Sequence, residues 1–194
     1  SGNTLYRGNI SCLPQNPQNL FVKNTVYDDL FEVTKLLGMS KADAEQRIGE
    51  LGERLDIKHL FESHPYDLSG GEQQKTALAK ILLMNPKIIL LDEPTKGLDA
   101  YSKKTFSEIL AELKKDGKTI VIVTHDVEFA AEYADRCAMF FDGQILTTQT
   151  PQAFFGQNSF YTTAANRMSR CVFRNAVNAS DVVGLYRANL EGNP

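Results

Sequence analysis

A glycine-opened helix that runs directly into a buried strand ending in two carboxylates constrains this chain most. The passage is LSGGEQQKTALAKILLMNPKIILLDEPTKGLDA, residues 68–100. Ser69 precedes an apolar-periodic run, and Glu72 three positions on completes a capping box. Asn85-Pro86 breaks that helix. The apolar run IILL is too short for a helix and reads as a strand buried on both faces. Asp92-Glu93 end it, and Pro94 blocks its continuation. A second helix, LDAYSKKTFSEILAELKKDG, is capped by Asp99 and closed by Gly117. KTIVIVTHD then repeats the strand pattern. Strand–helix–strand of this kind builds a parallel sheet, with helices expected on both faces.

The flanking sequence adds three further pieces. NISCLPQ (9–15) reads as a short buried strand stopped by Pro14 and Gln15, followed by a polar loop, NPQN. Apolar residues at Val26, Leu30, Val33 and Leu37 have helical spacing, and Gly38 ends the run. Ser40 caps another helix, SKADAEQRIGELGERL, with Asp43 three residues on. The block 25–66 carries nine acidic and five basic residues and no strand signal, so it reads as a small helical subdomain. After the second strand, VEFAAEYA is a short helix and RCAMFFDGQILTT a hairpin around Asp142-Gly143. Thr150-Pro151 opens a last helical region. From Pro151 onward there are four arginines, no lysine and two acids, a shift to net positive. The resulting organisation is 1–23, partial core; 24–68, helical subdomain; 69–150, the rest of the core; and 151–194, a C-terminal helical extension.

Composition excludes several classes. At 194 residues and 42% hydrophobic, the chain can bury a sizeable core. A formal charge of -3 gives no polyanion footprint, so nucleic acid is not an expected partner. The longest apolar runs are strand-sized and do not span a membrane. Cys12, Cys137 and Cys171 share no metal-ligand spacing and read as small buried apolar residues in a reduced setting.

Three apolar strands each end in polar groups: Gln15, Asp92-Glu93, and His125-Asp126. In open α/β sheets ligands bind off the carboxyl ends of the strands, so these side chains are expected to converge on one edge. Polar residues also mark where any strand surfaces, but three strands with this set of residue types favour convergence. Adjacent carboxylates at the end of an apolar strand are costly unless a cation or water satisfies them. Asp92 is placed to hold Mg²⁺, and Glu93 to act as general base. Ser69 and Glu72 are accounted for by a cap alone. Two glycines in the first turn are not, since each costs roughly 1 kcal/mol against alanine. Gly70 and Gly71 leave bare N–H groups at a helix N-terminus, where an anion binds. No glycine precedes Lys75-Thr76, so that pair is no phosphate loop. His59 and His64 read as surface or packing residues. His125, at a strand end alongside Asp92 and Glu93, reads as a phosphate donor.

These residues closely resemble the ATP-binding cassette (ABC) ATPase family. LSGGEQQ (68–74) resembles its signature, IILLDEP (88–94) its Walker B strand and catalytic glutamate, and GLDA (97–100) its D-loop. Thr124-His125-Asp126 resembles the switch histidine, and LPQNP (13–17) the Q-loop. Order and spacing agree from residue 9 to about 148. There are departures: no G-x-x-x-x-G-K-[ST] occurs in the 194 residues, Lys75 stands where many members carry arginine, and 151–194 extend beyond the common cassette. QNPQNLFVKNTVYDDL and FFGQNSFYTTAANRMSR resemble, more narrowly, the second cassette of fused energy-coupling-factor ATPases that power vitamin or metal-ion uptake.

The resemblance implies an α/β phosphate-loop NTPase-type parallel sheet, incomplete for want of the Walker A part, with an inserted all-α subdomain. It implies ATP and Mg²⁺ as cofactors and two cassettes facing head to tail, so that each ATP lies between them. Carried over, Gln15 senses Mg²⁺ and water, Asp92 holds Mg²⁺, Glu93 activates water and His125 contacts the terminal phosphate. Ser69, Gly70, Gly71 and Glu72 reach the nucleotide of the partner cassette, and Asp99 lines the seam. The helical subdomain docks a transmembrane subunit on the cytoplasmic face of the membrane. Two rival functions are a soluble ABC ATPase of DNA repair or translation and, for these residues alone, a non-catalytic interaction fragment. The 194 residues by themselves are expected to bind ATP weakly or not at all. Micromolar affinity by calorimetry would contradict that.

Overall fold

Parallel pairing organises the first part of the molecule. The computed structural model describes residues 9–157, 161–173 and 175–191, and the chain divides into two units, residues 1–124 and 125–194. In the first unit, β1 (Ile10–Leu13), β2 (Ile88–Asp92) and β3 (Thr119–Val123) form one sheet in the order β1-β2-β3. Both pairings are parallel, with Leu13 opposite Leu91 and Asp92 opposite Val123. All three strands therefore present their carboxyl ends at one edge. Parallel neighbours need crossovers, and helices supply them.

Helix α1 (Val26–Leu36) is capped by Thr25, whose hydroxyl accepts from the Asp28 N–H at 3.1 Å. Helix α2 (Lys41–Arg54) is capped by Ser40, which accepts from the Asp43 N–H and donates to its carboxylate at 2.6 Å. Helix α3 (Gly70–Leu82) follows Ser69 and ends before Asn85, which takes a left-handed φ of 48° ahead of Pro86. Helix α4 (Ala100–Lys115) is capped by Asp99 and closed at Gly117, φ 80°. These starts and stops match the sequence expectation. The segment Pro17–Leu20, read as loop, is a short 3-10 turn, with Asn16 accepting from the Gln18 N–H and Pro17 at the first position.

One side of the sheet is covered. Helix α3 packs on β1, α4 on β3, and the two helices touch each other. Ser11, Leu13, Ile89 and Leu91 are buried there, with Leu78, Leu82, Phe106, Leu110 and Leu113 from the helices. Each such side chain contributes about 1.5–3 kcal/mol on burial. The expectation of cover on both sides is not met among the described residues. Cys12, Leu90 and Val121 lie side by side in register on the opposite face, and all three are exposed. The physical reason is that both crossover helices lie on the same face.

The helical block of this unit is built on Val26, Leu30, Ile48, Leu55 and Ile57, each essentially inaccessible. A charge lies inside it. Asp29 is 1% exposed, pairs with Lys80 Nζ at 2.8 Å and accepts from the Val22 N–H at 2.9 Å. Lys80 also donates to the Leu20 carbonyl. That pair ties α1 and α3 to the strap between β1 and α1.

The second unit begins with α5 (Val127–Tyr133), capped by Asp126, and the antiparallel hairpin β4 (Cys137–Phe141) and β5 (Gln144–Gln149). Asp142 and Gly143 both have positive φ, 49° and 75°, as a two-residue type I′ turn requires. Helices α6 (Pro151–Gln157), α7 (Ala164–Ser169) and α8 (Ala179–Glu191) follow. Ala131, Cys137, Phe154, Phe155 and Val177 form the core, and burial pushes the Cys137 thiol up. Cys12, on the open sheet face, and Cys171, in the turn after α7, are exposed and not buried as expected. Asn166 is buried in a polar clasp, accepting from Thr162 Oγ1 and donating to the Ala176 carbonyl, both at 2.9 Å. Of the tail resemblance, residues 158–160 lie outside the described residues, as do Arg174 in the basic count and the chain end at 192–194. No helix of the described residues is long and apolar enough to cross a membrane.

Candidate functional site

At the carboxyl edge of the sheet, Gln15 lies two residues past β1 and is exposed, and Asp92 is the exposed last residue of β2. Glu93 differs in two ways. It is 8% exposed, and its backbone has a φ of +48°. Among the described residues, the other positive-φ residues outside glycine are Asp56, Asn85 and Asp142, types that tolerate this region. A glutamate there carries strain of order 1–3 kcal/mol, which clusters at functional sites. The Glu93 N–H donates to the Val123 carbonyl at 2.8 Å, extending the pairing past Asp92, and Thr124 Oγ1 donates to Glu93 Oε2 at 3.2 Å. Lys96 N–H donates to the Glu93 carbonyl at 3.1 Å, and Gly97, φ 76°, turns the chain toward Asp99. The edge thus holds an exposed carboxylate, Asp92, and a buried one, Glu93, that accepts from a neighbouring hydroxyl.

A second group gathers at the start of α3. The Ser69 hydroxyl donates to Glu72 Oε2 at 2.6 Å and accepts from the Glu72 N–H at 3.4 Å, while the Ser69 N–H donates to the same carboxylate at 2.8 Å. The capping box is therefore complete. The Ser69 hydroxyl first, then its N–H, hold the Glu72 carboxyl below the usual carboxylate range. A Cβ on Gly71 would meet Ser102 Oγ at 3.2 Å, whereas one on Gly70 would meet only Leu98 Cδ2 at 3.9 Å. Packing against α4 thus accounts for Gly71 and leaves Gly70 without a packing reason. Ser102 in turn donates its N–H to Asp99 Oδ1 at 2.8 Å, which holds that carboxyl below its usual range. Asp99 is in this way brought beside the start of α3.

Gln73 joins the two motif segments of this unit. Its Nε2 donates to the Leu68 carbonyl at 3.1 Å, and its Oε1 accepts from Gln18 Nε2 at 3.3 Å. Sequence reading singled out neither Gln18 nor Gln73, nor the Asp29–Lys80 pair. A Gln-rich run beside LSGG was the available signal. Lys75 lies 3.7 Å from Asp56 Oδ2 and links α3 to the helical block. His64 accepts from the Tyr66 N–H through Nδ1, and His59 lies 3.9 Å from Asp56, the structural roles expected of both. His125 is exposed and opens the second unit, where its carbonyl accepts from the Val127 N–H at 2.9 Å.

Among the described residues no three His, Cys, Asp or Glu side chains converge as a metal cage. Mg²⁺ does not need one. It keeps several waters and takes one or two protein oxygens beside the phosphates of its nucleotide, a demand that Asp92 and Gln15 fit.

Comparison with known proteins agrees with this geometry. The family model described as "ABC transporter" matches residues 2–96. A candidate ABC transporter ATP-binding protein of Bacillus cereus is 43% identical over 175 residues, which is 89% of this chain and 31% of that protein. The energy-coupling factor transporter ATP-binding protein EcfA of Methanocaldococcus jannaschii is 35% identical over 84% of this chain and 59% of its own length. Among solved structures, cbiO1 of Clostridium perfringens, part of the ABC transporter complex cbiONQ, superposes with a TM-score of 0.75 at 26% identity. That match covers 96% of this chain and 70% of cbiO1. The chain thus spans less than two thirds of the curated relatives it matches. With the signature, the strand-end carboxylates and the D-loop in family order on a matching fold, the chain belongs to the ATP-binding cassette transporter ATPase family.

Proposed function

We propose that this chain supplies the catalytic edge and signature of an ATP-hydrolysing subunit that drives uptake through a membrane partner. The observation that carries the reading is Glu93. It is a buried glutamate in a left-handed backbone, directly after an exposed aspartate at the end of a central parallel strand. Asp92, with Gln15, would hold Mg²⁺, which supplies neutralisation of phosphate charge when bound. Glu93 accepts a proton from the attacking water, and His125 donates to the terminal phosphate. Ser69, Gly70 and Gly71 face the nucleotide of a second cassette, with Glu72 fixing Ser69 and Asp99 at the seam.

The likeness to EcfA and cbiO1 supports uptake over DNA repair or translation, and the cbiO1 match covers 96% of this chain. On this reading the block 24–68 docks the transmembrane subunit at the cytoplasmic face, and 151–194 is an added helical extension. The test is Glu93→Gln in the full-length protein. Turnover should fall at least a hundredfold while Mg-ATP affinity stays within about threefold, since the base is lost and the metal ligand remains. Unchanged steady-state hydrolysis would remove Glu93 from the mechanism.

A further inference from the structure

Thr124 ends the first unit immediately after β3, and its hydroxyl donates to Glu93 Oε2 at 3.2 Å. The contact is set by the backbone on both sides. Asp92 pairs with Val123 in the parallel register, and the Glu93 N–H continues that pairing to the Val123 carbonyl at 2.8 Å. Glu93 is buried after the exposed Asp92, so it keeps the alternation of β2 although its φ is positive. Threonine is branched at Cβ and stiff at χ1, so a hydroxyl delivered from this position has little freedom to swing. A carboxylate has two oxygens and about four acceptor sites, and the Thr124 hydroxyl takes one of those on Oε2.

We propose that Thr124 is the positioning residue of the general base: its hydroxyl fixes the rotation of the Glu93 carboxylate toward the attacking water. The inference rests on Glu93 being the base. Thr124 itself touches neither nucleotide nor water in this scheme, and no proton is transferred to it. Its contribution is orientation, the kind of effect in which a small misplacement of a reacting group costs a sizeable factor in rate.

The test is steady-state ATP hydrolysis by the full-length protein carrying Thr124→Val, Thr124→Ser or Glu93→Gln, with Mg-ATP affinity measured for each. Valine keeps the shape and strand preference of threonine and removes only the hydroxyl. The expected result is a fall in kcat of about tenfold in Thr124→Val with KM for ATP within twofold. Serine should restore kcat to within about threefold. Should the valine variant not fold, shown by loss of ATP binding, Thr124→Ala against Thr124→Ser gives the same comparison. In a Glu93→Gln background, Thr124→Val should add no further loss, because there is no base left to orient. Wild-type or raised kcat in Thr124→Val, or a serine variant no better than valine, overturns the positioning role while leaving the base in place. Sustained hydrolysis in Glu93→Gln overturns the base itself, and the two failures are distinguishable.

Discussion

Ser69 and Glu72 share one set of hydrogen bonds that serves both fold and site. The carboxylate of Glu72 accepts from the hydroxyl and the N–H of Ser69, and Ser69 accepts from the Glu72 N–H. Because those bonds favour the charged form, the Glu72 carboxyl is held below its ordinary value. A depressed folded-state value contributes stability that is present above the unfolded value, about 4.3, and is lost as pH falls through the folded one. Glutamine retains the box but carries no charge. Glu72→Gln should therefore have a lower Tm than the wild type at pH 7, with the gap closing below about pH 4. A gap that does not change with pH would show that the charge contributes nothing. The cap was legible from Ser69 and Glu72 alone. The left-handed φ of Glu93 was not, because no local residue pattern at Leu91-Asp92-Glu93-Pro94 signals it.

Elements were legible to within a residue or two wherever a cap and a stop bracket them. Helices α1, α2, α3 and α4 each begin after the serine, threonine or aspartate that marks them in the sequence. What joins them was hidden, because the partners are far apart in the chain. Asp29 and Lys80 are separated by 51 residues, and nothing in either neighbourhood announces the other. Removing one member of a buried pair leaves an uncompensated charge, at a cost of about 3 kcal/mol or more. Lys80→Met should destabilise by about that amount in urea unfolding. Adding Asp29→Asn should recover much of it, since asparagine can still accept from the Val22 N–H. If Lys80→Met unfolds with the wild-type midpoint, the pair is not what holds α1 and α3 to the strap at Leu20 and Val22.

At the scale of the whole molecule, the alternation of apolar runs and helices disclosed the sheet and its carboxyl edge, because strand order and direction follow from the crossovers. The same pattern implied cover on both faces, yet Cys12, Leu90 and Val121 are exposed in one row. Continuous apolarity of a strand says that two faces seek cover, not which elements supply it. The central claim is that the two motif groups serve two nucleotides: Asp92 and Glu93 one, Ser69 and Gly70 that of a facing cassette. Ser69→Asp isolates this claim. Aspartate still accepts from the Glu72 N–H as a cap, though it cannot donate to the Glu72 carboxylate as Ser69 does, and it places a negative charge where a phosphate would sit. The decisive measurement is phosphate release by the full-length Ser69→Asp protein at saturating Mg-ATP, with Tm recorded alongside. The expected result is a lowered Tm, from the lost Ser69–Glu72 hydrogen bond, in a protein still folded at the assay temperature, with loss of most turnover. Wild-type turnover with an aspartate at position 69 would contradict it.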